Sequence, residues 1–236
     1  MAMGYFKNQN LIMNTILIFL FLLIGCTKDL KKESNLKLNK SMEINDSLQI
    51  KKFDIEKFES NLKKNPSYEG YQKDKETYIK QFYTIKSGYI EDSYTRNLVE
   101  NYIEQYITND RFNTFYKYDK SGELQFVSYY FGKNLEIGEW ITYENGKIIK
   151  KEDKEEKYSF KFNQVLKYCK DKGMNLLKKG EVLKTNDGQK YTWEITWNTG
   201  KVAEDGESYL FKKIILDGNT GKEISIKEYT FNPLAR

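Results

Sequence analysis

From Leu11 to Ile24 every residue is apolar except Asn14 and Thr15, a block without amphipathic period. The pattern vanishes between residues 27 and 52, where seven lysines and four acids occur with no proline, glycine or aromatic ring. Such a stretch cannot bury enough apolar surface to order itself. It predicts a solvated tether with a frayed helical stretch near Met42 to Ile50. From Phe53 the chain turns aromatic. Phe53, Phe58 and Leu62 are spaced for a short helix that ends before Asn65-Pro66. The β-rich runs Thr77 to Ile85 and Tyr89 to Tyr94, separated by Ser87-Gly88, predict a hairpin. Leu98, Val99, Tyr102, Ile103 and Tyr106 then recur three and four apart, which predicts a helix over Arg96 to Ile107.

In the middle of the chain Phe115 to Tyr118, Leu124 to Phe131, Gly138 to Tyr143 and Lys147 to Lys151 are strand-like. Asp119-Lys120-Ser121-Gly122 and Glu144-Asn145-Gly146 supply turns between them, and an Asn-Gly pair in that position favours a tight hairpin because both residues tolerate positive φ. Lys150 to Lys157 is charged at every position and marks a subdomain boundary. Beyond it Phe162, Val165, Leu166, Cys169, Gly173 and Leu176 share one helical face, with Ser159 as a candidate N-cap. Four β-rich segments follow: Gly180 to Lys184, Tyr191 to Trp197, Tyr209 to Leu216 and Glu223 to Phe231. Asn186-Asp187-Gly188 and Asp217 to Gly221 turn between them. The predicted class is therefore α+β, with antiparallel hairpins in a central meander and then a helix packed on an antiparallel sheet. The expected divisions are residues 1–25, a tether over 26–52, an aromatic-rich region over 53–152 and a helix-on-sheet region over 153–236.

Composition supports a folded, strand-rich body, since 19 Tyr and 14 Phe bury well against pleated sheets. Without Lys7 the 39 basic residues become 38, against 34 acidic ones, and they are dispersed among acids. Nucleic-acid binders gather their cations into a stripe, so that class is excluded as an expectation.

The amino-terminal block has further meaning. Only Lys7 is charged before Cys26, and the apolar run would be about 21 Å long as a helix, short of the roughly 30 Å hydrocarbon core. This layout fits a secretion signal over residues 1–25. Its end, Leu23-Ile24-Gly25-Cys26, resembles the lipobox of bacterial lipoproteins: an aliphatic residue, a tolerated one, a small one, then cysteine. The resemblance implies acylation at Cys26, the palmitate-bearing lipid-attachment residue, and a membrane partner through that lipid. Several acyl chains make an anchor that does not readily leave the bilayer. Thr27 stands where some lipoproteins carry an inner-membrane retention aspartate, so the resemblance implies the outer membrane, on its periplasmic or surface face. Lys28-Asp29 is similar to the start of the export signal of Bacteroidota lipoproteins, although Leu30 interrupts its acidic pair.

Two further resemblances are structural. Gly138, Glu139, Trp140, Tyr143, Asn145, Gly146 and Lys147 resemble a MORN-variant repeat, and Asp119, Gly122, Tyr129, Tyr130 and Gly132 resemble an eroded upstream copy. Ile215 to Ile224, with its Asp-Gly-Asn-Thr-Gly-Lys turn, resembles the last hairpin of PepSY-like domains. Neither motif implies a catalytic residue or a cofactor.

Candidate chemistry is sparse. The chain has no histidine, which removes Ser-His-Asp and Cys-His catalysis and imidazole metal ligation. With Cys26 acylated, Cys169 has no partner in the chain and reads as a buried thiol. Paired carboxylates could still hydrolyse glycans, and Asp205-Gly206-Glu207 beside Trp193 and Trp197 is the best candidate. A calcium site at Asp217-Gly218-Asn219 competes with the turn those residues already explain. The sequence thus points to no enzyme, no cofactor and no metal site. It points to an envelope lipoprotein that binds another protein. An immunity lipoprotein against a toxin delivered to the periplasm is one alternative, and a carboxylate-dependent envelope glycan hydrolase is another.

Overall fold

The computed structural model describes residues 52–85 and 94–232. Cys26, the apolar leader, the tether through Lys51 and the Tyr89 to Ser93 part of the expected hairpin lie outside the described residues. The first element is helix α1 (Ile55–Lys64), which begins because Asp54 Oδ1 accepts the Lys57 N–H at 2.9 Å. Glu56 in the first turn and Lys63 and Lys64 in the last complement the helix dipole, and the helix stops at Asn65-Pro66 as expected.

Seven strands follow as one antiparallel meander: β1 (Gly70–Gln72), β2 (Thr77–Ile85), β3 (Val99–Thr108), β4 (Phe112–Asp119), β5 (Leu124–Phe131), β6 (Leu135–Glu144) and β7 (Lys147–Asp153). The helix expected over Arg96 to Ile107 is overturned. Only Arg96–Leu98 forms a 3-10 turn, and the rest is β3, paired along its length with β2 and β4. The spacing of three and four arose because both strand faces are apolar. Tyr102 and Tyr106 point to one side and Ile103 and Ile107 to the other, and two flanking strands hold both. The Thr77 to Ile85 strand forms and pairs with β1 and β3, while Tyr89 to Ser93 of the expected hairpin lie outside the described residues.

One face of this sheet is the core. Phe58, 1% exposed, meets Tyr102 and Tyr83 edge-on at 5.9 and 6.4 Å, while Phe53 stacks on Tyr102 at 4.7 Å. The turns are those the sequence called for. Asp119 Oδ1 accepts the Ser121 and Glu123 N–H groups, and Asn145 and Gly146 hold φ of 50° and 73°.

The second layer comprises α2 (Phe162–Asp171), the single turn α3 (Leu176–Lys179) and the antiparallel strands β8 (Gly180–Asn186), β9 (Tyr191–Val202), β10 (Tyr209–Asp217) and β11 (Glu223–Phe231), in the order β11-β10-β9-β8. Phe162, Val165 and Cys169 of α2 are buried, as are Val182, Trp193, Ile195, Ile214 and Leu216 of the sheet. The expected cap Ser159 is not the cap. Lys161 occupies the N-cap position, and its N–H donates to Gln164 Oε1 at 2.7 Å. The apolar face predicted through Gly173 is cut at Asp171, since Gly173 turns the chain at φ 72°.

The two sheets meet at a seam. Phe162 lies 6.3 Å from Phe112 and 5.0 Å from Phe131, ring to ring. Glu155, 3% exposed, clamps the seam: its Oε1 accepts the Gly138 N–H of β6 at 2.9 Å and its Oε2 the Phe162 N–H at 2.6 Å. Among the described residues no helix is long and apolar enough to cross a membrane.

Candidate functional site

The residues singled out from sequence are not assembled into one centre. Cys169 lies in the α2 core, 1% exposed, and burial pushes its thiol up to about 12. Asp205 shapes the β9–β10 loop: its carboxylate accepts the N–H groups of Glu207 and Ser208 and the Ser208 hydroxyl at 2.6–3.0 Å. These bonds hold its carboxyl below the usual range. Trp193 is fully buried and donates Nε1–H to Phe160 O at 2.8 Å. It pairs with Leu216, whereas the loop begins beyond the Val202–Tyr209 pair. Along β10, seven residues therefore separate Leu216, the partner of Trp193, from Tyr209 at the loop, about 24 Å at ~3.4 Å per residue. The proposed grouping of Asp205 and Glu207 with Trp193 is thus not formed.

Asp217 Oδ1 is likewise engaged by the Asn219 and Thr220 N–H groups and the Thr220 hydroxyl. Among the described residues no group of three or more Cys, Asp or Glu side chains could hold a metal ion.

A cleft of about 520 Å³ opens beside α1, lined by Phe58, Tyr68, Gln81, Tyr83 and Tyr94 among others. Behind it lies a polar chain. Tyr68 Oη donates to Gln81 Oε1 at 2.7 Å, Gln81 Nε2 donates to Glu104 Oε1 at 2.8 Å, and Tyr118 Oη donates to Glu104 Oε2 at 3.1 Å. Burial raises the Tyr94 and Tyr118 hydroxyls well above the ordinary phenol range. The side chains of this chain bond to one another and fix the rotamers of the first core.

The other cleft, about 650 Å³, is a shallow groove across the second sheet on the side away from α2. Pairing aligns its floor in rows. Asn198 lies beside Phe211 and Phe211 beside Tyr229, and Phe231 stands beside Tyr209 at the strand end. Phe211 stacks on Tyr229 at 5.6 Å and meets Phe231 edge-on at 6.0 Å. Tyr229 and Phe231 are nonetheless 42% and 54% exposed. At the far end stands Arg111, held at φ 70°, whose guanidinium donates to the carbonyls of Leu176 and Gly180 and lies over the Phe131 ring at 5.1 Å.

Among the described residues this groove ends at a free edge, because β11 pairs only with β10 there. The first sheet also ends in an exposed edge, β7, but the two differ. Five of seven β7 residues are charged, and Lys150–Glu152, Lys151–Glu139 and Lys161–Asp153 form ion pairs at 2.8–3.1 Å. Charges of this kind guard an edge against further pairing. β7 also exposes Ile148 and Ile149, whereas β11 carries only three charges in nine residues and exposes Ile224, Ile226, Tyr229 and Phe231. Sequence reasoning missed Arg111 and the Phe211–Tyr229–Phe231 cluster. The only available signal was the aromatic ending of Glu223 to Phe231, which equally suits a core strand. Comparison with protein-family models, curated proteins and solved structures returns no match.

Proposed function

We propose that this chain is a non-enzymatic, protein-binding lipoprotein of the cell envelope, acylated at Cys26 and held on the outer membrane. The observation that carries the binding reading is the exposed Phe211–Tyr229–Phe231 cluster beside an unguarded strand edge. Half-exposed aromatic rings on a sheet are enriched where proteins meet, since each supplies a large area with few rotamers to fix. Acylation at Cys26 would supply display, since it keeps the body beside the membrane.

A photo-reactive phenylalanine analogue placed at Tyr229, with the same analogue at Ile149 on β7 as control, tests this in envelope preparations. The expected result is an adduct with one envelope protein from position 229 and none from 149. Equal labelling from both positions would overturn the binding surface. Glycan turnover by the purified body, lost on neutralising one carboxylate pair, would overturn the non-enzymatic assignment.

A further inference from the structure

The open face of the four-stranded sheet contains an unfavourable arrangement. Lys213 of β10 stands directly opposite Lys227 of β11, and like charges facing across strands repel. Lys213 is answered by Glu194, whose carboxylate lies 2.7 Å from its Nζ. Lys227 forms no ion pair among the described residues, and it stands at the free edge. On the other face the neighbouring pair is compensated internally, because Lys212 and Glu228 face each other and form an ion pair at 2.5 Å. A side chain arriving opposite Lys227 would complete the row.

We propose that a segment of a partner protein adds to β11 as a fifth strand, with an acidic side chain opposite Lys227 and apolar side chains opposite Tyr229 and Phe231. This rests on the protein-binding reading above and names the recognition chemistry. Strand addition draws affinity from main-chain hydrogen bonds along the edge and specificity from alternate side chains.

A second copy pairing through its own β11 does not supply the acid. A twofold antiparallel pairing keeps each sheet face continuous, so Lys227 could only meet another open-face residue of β11. Those residues are Ser225, Lys227, Tyr229 and Phe231, none acidic. Glu223 is removed from that face by the irregularity at Ile215/Leu216, which sets it opposite Leu216, where it bonds the Lys172 ammonium at 2.7 Å and the Tyr168 hydroxyl at 2.8 Å.

The test uses the body from residue 27 onward and a blocked, fluorescent peptide, Val-Thr-Tyr-Lys-Glu-Val-Thr, written to pair antiparallel with Phe231 back to Ser225. Anisotropy should show saturable binding. Replacing the peptide Glu by Lys should weaken it about three- to tenfold, from the worth of a cross-strand charge pair. The variant Lys227→Glu should reverse that preference, a rescue that a merely unfolded variant cannot give. N-methylation of alternate peptide residues should abolish binding in one register and spare it in the other, because only every second residue of an antiparallel strand turns its N–H to its neighbour. Equal binding of the Glu and Lys peptides, or insensitivity to N-methylation, overturns the proposal, as does failure of the wild type to bind either peptide. A dimer in sedimentation that Lys227→Glu dissolves would assign the edge to self-association instead. An envelope protein still cross-linked from position 229 after Lys227→Glu would leave the binding reading standing while removing the acidic strand.

Discussion

Replacing Glu155 by alanine deletes one carboxylate and orphans two backbone donors in different sheets' territory. Gly138 N–H of β6 loses an acceptor at 2.9 Å, and Phe162 N–H at the start of α2 loses one at 2.6 Å. A buried donor left without an acceptor costs about 1–3 kcal/mol, so two cost about 2–6 kcal/mol. The α2 N-terminus also loses a nearby anion that complements its dipole, by about 0.3–1 kcal/mol. Against this, the wild type must bury a carboxylate that is only 3% exposed, and its removal returns part of that desolvation. The net expectation is a loss of about 2–4 kcal/mol. For a body of this size that lowers the melting temperature by roughly 4–16 °C at about 2–4 °C per kcal/mol. Glu155→Gln keeps one accepting oxygen and turns an NH2 toward the other donor, so it should lie between wild type and alanine. Urea unfolding followed by tryptophan fluorescence reads both sheets, because Trp140 belongs to the first and Trp193 to the second. A stability within about 0.5 kcal/mol of wild type in Glu155→Ala would refute the clamp, since that is the range of an inconsequential surface substitution.

Gly146→Val places a β-branched residue at φ 73° and should cost about 1–3 kcal/mol, visible as a lowered urea midpoint with an unchanged slope. Glu104→Leu should destabilise more than Glu104→Gln, because leucine leaves Gln81 Nε2 and Tyr118 Oη without their acceptor and glutamine keeps one accepting oxygen; equal melting temperatures would contradict this. Cys169 should react slowly with a thiol reagent in the native protein and quickly after denaturation. Its folded pKa stands above its unfolded one, so its contribution is intact below about pH 9 and is lost toward about pH 12. The slope is about 1.4 kcal/mol per pH unit, and Cys169→Ala should remove that slope from the alkaline stability curve. Cys26→Ala should release the protein from membranes and end palmitate incorporation, and a membrane fraction equal to wild type would refute the lipid anchor.

The fold was legible where local chemistry and long-range pairing agreed. Asn145-Gly146 specifies its own hairpin, and so does the Asp217 to Gly221 turn, where a Cβ at Gly221 would meet the Phe160 ring at 2.3 Å. The α+β class followed from these turns and from the α2 stripe. The segment Arg96 to Ile107 was misread because local period and tertiary demand diverge there. A strand flanked on both edges and apolar on both faces carries no alternation, and its aromatic and branched residues fall by accident at helical intervals. Gln81 and Glu104 give the same lesson at single positions. Polar residues normally mark the solvent face, but these two lie 7% and 3% exposed, bonded to each other at 2.8 Å across the β2–β3 pair.

The groove was illegible for a different reason, which the two edge strands expose. Lys147 to Asp153 and Glu223 to Phe231 both mix apolar and charged residues, and neither sequence states that it is an edge. That property belongs to strand order, which depends on what pairs with the other side of each strand. Once the order is known, the meaning of each residue changes. The charges of β7 become a guard: Lys150 and Lys151 are tied by carboxylates of β7 and β6, and Asp153 by Lys161. Lys227 of β11 becomes a charge without an answer, placed opposite another lysine. Natural edges are commonly blunted because an unguarded one invites pairing with any chain. An edge that exposes Ile226 on one face and Tyr229 and Phe231 on the other, with Lys227 unpaired among the described residues at its centre, discriminates among incoming strands by sign of charge. Selectivity on β11 therefore requires no pocket chemistry, which fits a chain whose recognisable motifs are turns and whose aromatic cluster stands half exposed.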